Sequence, residues 1–126
     1  MLFFKTNLDI SKLLNANEST LSKTLGKVVL REKFSGKYFS NFEKSGYLFY
    51  VRMSRGKASS FTVEYPNGKS SLEISKDLGF DLSKAKIILR SKLISEYVIG
   101  DNMIRLISWD GSKINSLQYH SKSHKI

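Results

Sequence analysis

The sequence predicts a β-rich α+β fold with two short helical segments, and three observations carry that expectation. Short runs of β-branched and aromatic residues recur along most of the chain, as strands require. Turn chemistry, Ser54-Arg55-Gly56-Lys57 and Pro66-Asn67-Gly68-Lys69, sits between and after two of them. Helical periodicity is confined to two places, Asp9 to Thr24 and the stretch before Leu78.

In chain order, Leu2 to Thr6 reads as a strand. Ile10, Leu13, Leu14, Leu21 and Leu25 then recur at helical spacing, interrupted by the polar run Asn15 to Thr20. Lys27 to Arg31 is β-branched and apolar. Gly46 to Met53 and Phe61 to Tyr65 form a hairpin, and Leu72 to Leu78 is a strand running into a short helix. Ala85 to Leu89 and Met103 to Trp109 complete the strands. The end of the chain is rich in Ser, Lys and His, so a single domain is expected over residues 1–111, with 112–126 as a basic, fraying tail.

The chain of 126 residues, 40% hydrophobic and 12% aromatic, is enough for one core. It has no cysteine, so a disulfide framework and thiolate metal site are excluded, and a reducing, intracellular setting is expected. No run of apolar residues suits export or membrane insertion.

An internal echo organises the sequence. Leu8 to Lys12 is matched by Leu72 to Lys76, Lys27 to Lys33 by Lys86 to Lys92, and Tyr47 to Gly56 more loosely by Met103 to Gly111. A repeated helix and strand unit of this kind favours a closed or nearly closed barrel.

The net charge is +10, and it is concentrated. Lys23 to Lys57 holds nine basic residues and two acids, and Lys84 to Lys92 holds four basic residues and none. A polyanion is the expected partner, and double-stranded DNA the first candidate, because neutralised phosphates release counterions. Residues 10–25 fit a helix-turn-helix, with Asn15 at the turn and Asn17 capping the second helix. Ser19, Thr20 and Lys23 would then face the major groove.

A second reading of the same surface rests on the order of elements. Leu2-Phe3-Phe4-Lys5, Leu8 to Leu13, Lys27 to Leu30, Lys33-Phe34-Ser35-Gly36-Lys37-Tyr38-Phe39, and the hairpin through Arg55-Gly56-Lys57 follow one another in a way that resembles the B3 DNA-binding family. That family is related to effector-binding domains of restriction endonucleases. The resemblance implies a seven-stranded open barrel, or pseudobarrel, with two short helices, whose two arms enter one major groove. It implies Ser22, Lys23, Thr24 and Lys27 on the first arm and Asn67, Lys69 and Ser70 on the second. Arg52, Arg55 and Lys57 would fix register on phosphates. Lys and Asn can indeed reach guanine and adenine edges, and hydroxyls can bond phosphate.

Other uses of the surface stay open. Tyr47, Phe49, Phe61 and Tyr65 could stack single-stranded bases, although at least one aromatic face must form the core. The basic segments could also steer an acidic protein partner. No enzyme activity is expected. No Asp or Glu begins an E-x-K motif, the glycines form no phosphate-binding pattern, and His120 and His124 lack a nearby carboxylate, so neither catalytic nor metal site nor cofactor is expected. Any chemistry would come from a larger nuclease or regulatory assembly.

Overall fold

The computed structural model describes residues 8–122. Its eight strands are β1 (Leu30–Phe34), β2 (Lys37–Lys44), β3 (Tyr47–Ser54), β4 (Lys57–Lys69), β5 (Lys86–Arg90), β6 (Ile94–Ile99), β7 (Asn102–Ile107) and β8 (Ile114–Ser121). They form one antiparallel sheet in the order β1-β2-β3-β4-β8-β7-β6-β5. The chain therefore lays down two four-stranded meanders and joins them through their last strands. Strands β1 and β5 are both edges, and the sheet is open.

Helices α1 (Glu18–Leu25) and α2 (Ser71–Leu78) each precede a meander, and 3-10 turns occupy Ile10–Leu13 and Leu82–Lys84. Both helices end alike, Leu21-Ser22-Lys23-Thr24-Leu25-Gly26 and Ile74-Ser75-Lys76-Asp77-Leu78-Gly79. The apolar members of each ending are buried. Each closing glycine has positive φ, 93° and 80°, and donates its N–H to the carbonyl of Ser22 or Ser75. Glycine adopts this stop at little steric cost. The repeat is thus architectural, with β1 matching β5 and β3 matching β7. Its helical part is corrected: Leu8 to Lys12 runs into the 3-10 turn Ile10–Leu13, whereas Leu72 to Lys76 lies in α2.

Strand alternation puts the core on one face. Phe42, Phe49, Val63, Leu117 and Leu106 are successive cross-strand neighbours, as are Val51, Phe61, Tyr119, Ile104 and Tyr97. Ile10, Leu13, Leu21, Leu25, Ile74 and Leu78 cover them, and all belong to one buried cluster. Removing such apolar area from water is the main stabilising term.

Several expectations are corrected. The sheet has eight strands rather than seven. Lys33 to Phe39, which the family resemblance implies as the end of a helix, is the β1–β2 hairpin, turning at Ser35 and Gly36, whose φ values of 53° and 77° fit a two-residue loop. Pro66 to Lys69 does not reverse the chain but lies inside β4, where the pairing with β8 shifts register. Strand β6 went unread. Residues 112–126 are not all tail, since β8 is paired on both sides, by β4 and β7. The expected strand at Leu2 to Thr6 lies outside the described residues.

Candidate functional site

The residues expected to contact a polyanion divide between two places. The first is the corner where α1 meets the β3–β4 hairpin. Asn15 takes φ of 67°, and the Asn17 side chain accepts the Thr20 N–H at 2.8 Å, capping α1 as its sequence position suggested. Backbone bonds of 2.8 Å run from Asn15 N to Ala58 O and from Ala58 N to Ala16 O, and Asn17 bridges Lys57. The start of α1, with Ser19 and Thr20 exposed, is thereby fixed beside Lys57. Arg55, with φ of 54°, forms the hairpin tip with Gly56. Lys23, Lys27, Arg55 and Lys57 are exposed, while Ser22, Thr24 and Arg52 are partly buried. The Thr24 carbonyl accepts from Lys44 Nζ at 2.7 Å, which satisfies one open end of the helix.

A groove of about 680 Å³ opens at this corner, lined by Tyr38, Met53, Lys33, Arg55 and the Glu18–Arg31 pair. Arg31 reaches Glu18 through two hydrogen bonds, 3.0 and 2.6 Å, and Ser40 adds a third at 2.8 Å. Those bonds, Arg31's first, hold the Glu18 carboxyl below its ordinary range. Lys33 and Arg55 are the cations of this groove outside any ion pair among the described residues.

The second place is the far end of β4. Twelve residues separate Lys69 from Lys57 along one strand, up to about 40 Å at extended spacing. Here Lys69 is already engaged: its Nζ lies 2.7 Å from Asp77 Oδ2 and sits over the rings of Tyr65 and Tyr47, 4.6 and 5.0 Å from their centroids. Ser70 caps α2 in a reciprocal box with Glu73. Asn67 is exposed. Of the expected second arm, two of three residues therefore hold the fold together.

The sheet face away from the helices is not basic. Glu32, Glu43, Glu64 and Glu96 share it with Lys37, Arg52 and Arg105 by register, and Lys86 stands at its β5 edge. Arg105 is held there by Glu96 and Gln118, and Asn41 donates to Glu32. The aromatic set does supply the core, as the sequence requires of at least one aromatic face. Tyr47, Phe49 and Phe61 are buried in the core, and Tyr65 packs on Tyr47 at 4.9 Å. His120 lies in β8, its ring nitrogen 2.8 Å from the Ser121 carbonyl, and His124 lies outside the described residues.

A third cationic cluster was legible as charge but not as a site. Lys84, Lys86, Arg90 and Lys92 are all exposed; Lys86 and Arg90 begin and end an edge strand whose five residues are exposed, and Lys84 and Lys92 flank it. Four strand spacings, about 20 Å, separate β5 from β4. The basic segments thus form separate clusters at the rim of the sheet rather than one face. Among the described residues no group of His, Asp and Glu is gathered as a metal site, and no helix is long and apolar enough to cross a membrane.

No family model and no curated protein matches the sequence. Solved structures do resemble the fold. A cysteine-rich secretory protein from Staphylococcus aureus subsp. aureus Mu50 aligns with 92% of this chain and 46% of its own, with a TM-score of 0.63 and 14% identity. An extracellular protein containing an SCP domain from Bacillus anthracis str. Ames aligns with 96% of this chain and 48% of its own, with a TM-score of 0.63 and 7% identity. The likeness is one of fold. The chain spans about half the length of either structure, and it has no cysteine.

Proposed function

We propose that this chain is a binding module for an acidic protein partner, with any chemistry supplied by another domain or subunit. The observation that carries this reading is the segregation of charge. Charge on the open sheet face is mixed, whereas Lys84, Lys86, Arg90 and Lys92 gather at one rim with no acid between them. Rim cations steer association and select the sign of the partner more than they add affinity.

Double-stranded DNA is the second reading, favoured by the corner that brings Ser19 and Thr20 beside Arg55 and Lys57. In that reading the chain targets a restriction or regulatory assembly through the major groove. A competition experiment separates the two. A labelled peptide alternating Glu and Val is bound to the chain, and random-sequence duplex is added in excess. The acidic-partner reading expects the peptide complex to survive; its displacement by duplex favours the DNA reading.

A further inference from the structure

The two edges of the sheet differ in how they are protected. Strand β1 presents charges that are already held within the chain: Arg31 by Glu18, Glu32 by Asn41, and Lys33 over the Tyr38 ring at 5.2 Å. Charged edges of this kind resist pairing with other chains. Strand β5 has no such arrangement among the described residues. Among them it is hydrogen-bonded to β6 alone, so one row of its backbone groups is open.

Both edges expose apolar side chains, Leu30 and Phe34 in β1 at 53% and 71%, but in β5 they form a continuous run. Ile87, Ile88 and Leu89 are 50%, 49% and 44% exposed, and Leu93 is 46% exposed. Ile88 is the extra residue where the register against β6 shifts between Ile87 and Leu89. An aliphatic run on an open edge, ringed by cations, is a surface that calls for a cover.

Charge complementarity selects what covers it. A second copy is disfavoured, because pairing β5 with itself brings the four cations of one edge, Lys84, Lys86, Arg90 and Lys92, against the same four of the other. A lipid surface is disfavoured, because hydrocarbon cannot satisfy the open row of N–H and C=O groups. An extended peptide satisfies the backbone row, the aliphatic side chains and the cations together.

Building on the acidic-partner reading, we propose that β5 is a docking edge for strand addition, and that its ligand is an extended protein segment in which acidic and β-branched residues alternate. The added segment becomes a ninth strand beside β5. Register sets Lys86 and Leu89 on one face of the edge and Ile87 and Arg90 on the other, so the segment's carboxylates meet Lys86 on one face, its apolar residues cover Ile87 on the other, and Lys84, Arg90 and Lys92 add longer-range attraction.

The test uses the whole chain and the Glu/Val-alternating peptide, with the same peptide N-methylated along one backbone edge as a control. Backbone amides of residues 86–90 are followed by hydrogen exchange and NMR. The proposal expects the peptide to slow exchange across β5, and N-methylation to weaken binding about tenfold or more, as loss of several backbone bonds requires. Replacing all four cations with alanine should weaken it about tenfold as well. If the peptide binds but N-methylation changes nothing, or protection appears elsewhere, strand addition is overturned while the acidic-partner reading stands. Failure of the peptide and of polyglutamate to bind overturns both. Preferential binding of anionic vesicles, lost in Ile88→Asp, or concentration-dependent self-association lost in the same variant, would assign the edge to lipid or to a second copy and overturn the proposal.

Discussion

Lys69 Nζ lies 2.7 Å from Oδ2 of Asp77 and so ties the end of β4 to the last turn of α2. The Tyr47 hydroxyl donates to that same oxygen at 2.5 Å. One carboxylate thereby gathers two strands and a helix from different halves of the repeat.

Asp77→Ala should destabilise the fold by about 1 to 2 kcal/mol, because it leaves the hydroxyl of the buried Tyr47 and Lys69 without their acceptor. The ion pair itself contributes modestly, since the Asp77 side chain is 39% exposed and screened by solvent. Asp77→Asn should cost less, because an amide oxygen still accepts. Chemical denaturation of the three proteins checks the order; equal stability of wild type and Asp77→Ala would contradict it.

Acid should unfold the chain through carboxylates with depressed pKa values. Burial alone would raise Asp77, but hydrogen bonds from Lys69 and Tyr47, with the Lys69 charge, outweigh it. Glu18 is lowered by Arg31 and Ser40. Each group binds fewer protons folded than unfolded near its ordinary pKa, 3.8 for Asp77 and 4.5 for Glu18. Its stabilisation is therefore complete above those values and is lost as pH falls through the lower folded values. Thermal melts from neutral to acid pH should show the decline setting in around those ordinary values. In Glu18→Gln with Asp77→Asn the decline should be shallower.

The two helix-ending glycines should respond differently to alanine. Both have positive φ, which strains any Cβ by about 1 to 2 kcal/mol. A Cβ at Gly26 meets nothing within 4 Å, whereas one at Gly79 strikes the Leu8 carbonyl oxygen and comes 2.8 Å from Asp9 Cα. Gly79→Ala should cost about 3 kcal/mol or more, and Gly26→Ala about half as much. Equal melting temperatures for the two variants would refute the close approach.

Leu25 and Leu78 precede these glycines at matching positions, 1% and 0% exposed. Truncating either to alanine should cost about 2 to 5 kcal/mol, and by similar amounts, if the repeat is architectural. Urea titrations of the single variants measure this.

Local signals were legible in the sequence, and long-range ones were not. Asn15 as a turn residue and Asn17 as a cap declare themselves because both act on neighbouring backbone. The β8 segment reads as a tail by composition, yet Asn115, Leu117 and Tyr119 are buried at strand spacing, a period hidden among Ser, Lys and His. The matched endings at Leu21–Gly26 and Ile74–Gly79 escape a reading that pairs Leu8 to Lys12 with Leu72 to Lys76, because only the helix boundaries show which letters occupy equivalent turns. Lys69 looked like a free cation because nothing in sequence shows that Asp77 and two tyrosine rings surround it.

The most direct test of the cationic rim compares two multiple variants in one binding experiment. Affinity for the Glu/Val-alternating peptide is measured for wild type, for the alanine variant at Lys84, Lys86, Arg90 and Lys92, and for Arg55→Ala with Lys57→Ala. The account predicts about tenfold weaker binding or more in the first variant and little change in the second. Loss confined to the hairpin variant, together with displacement of the peptide by duplex DNA, would contradict it.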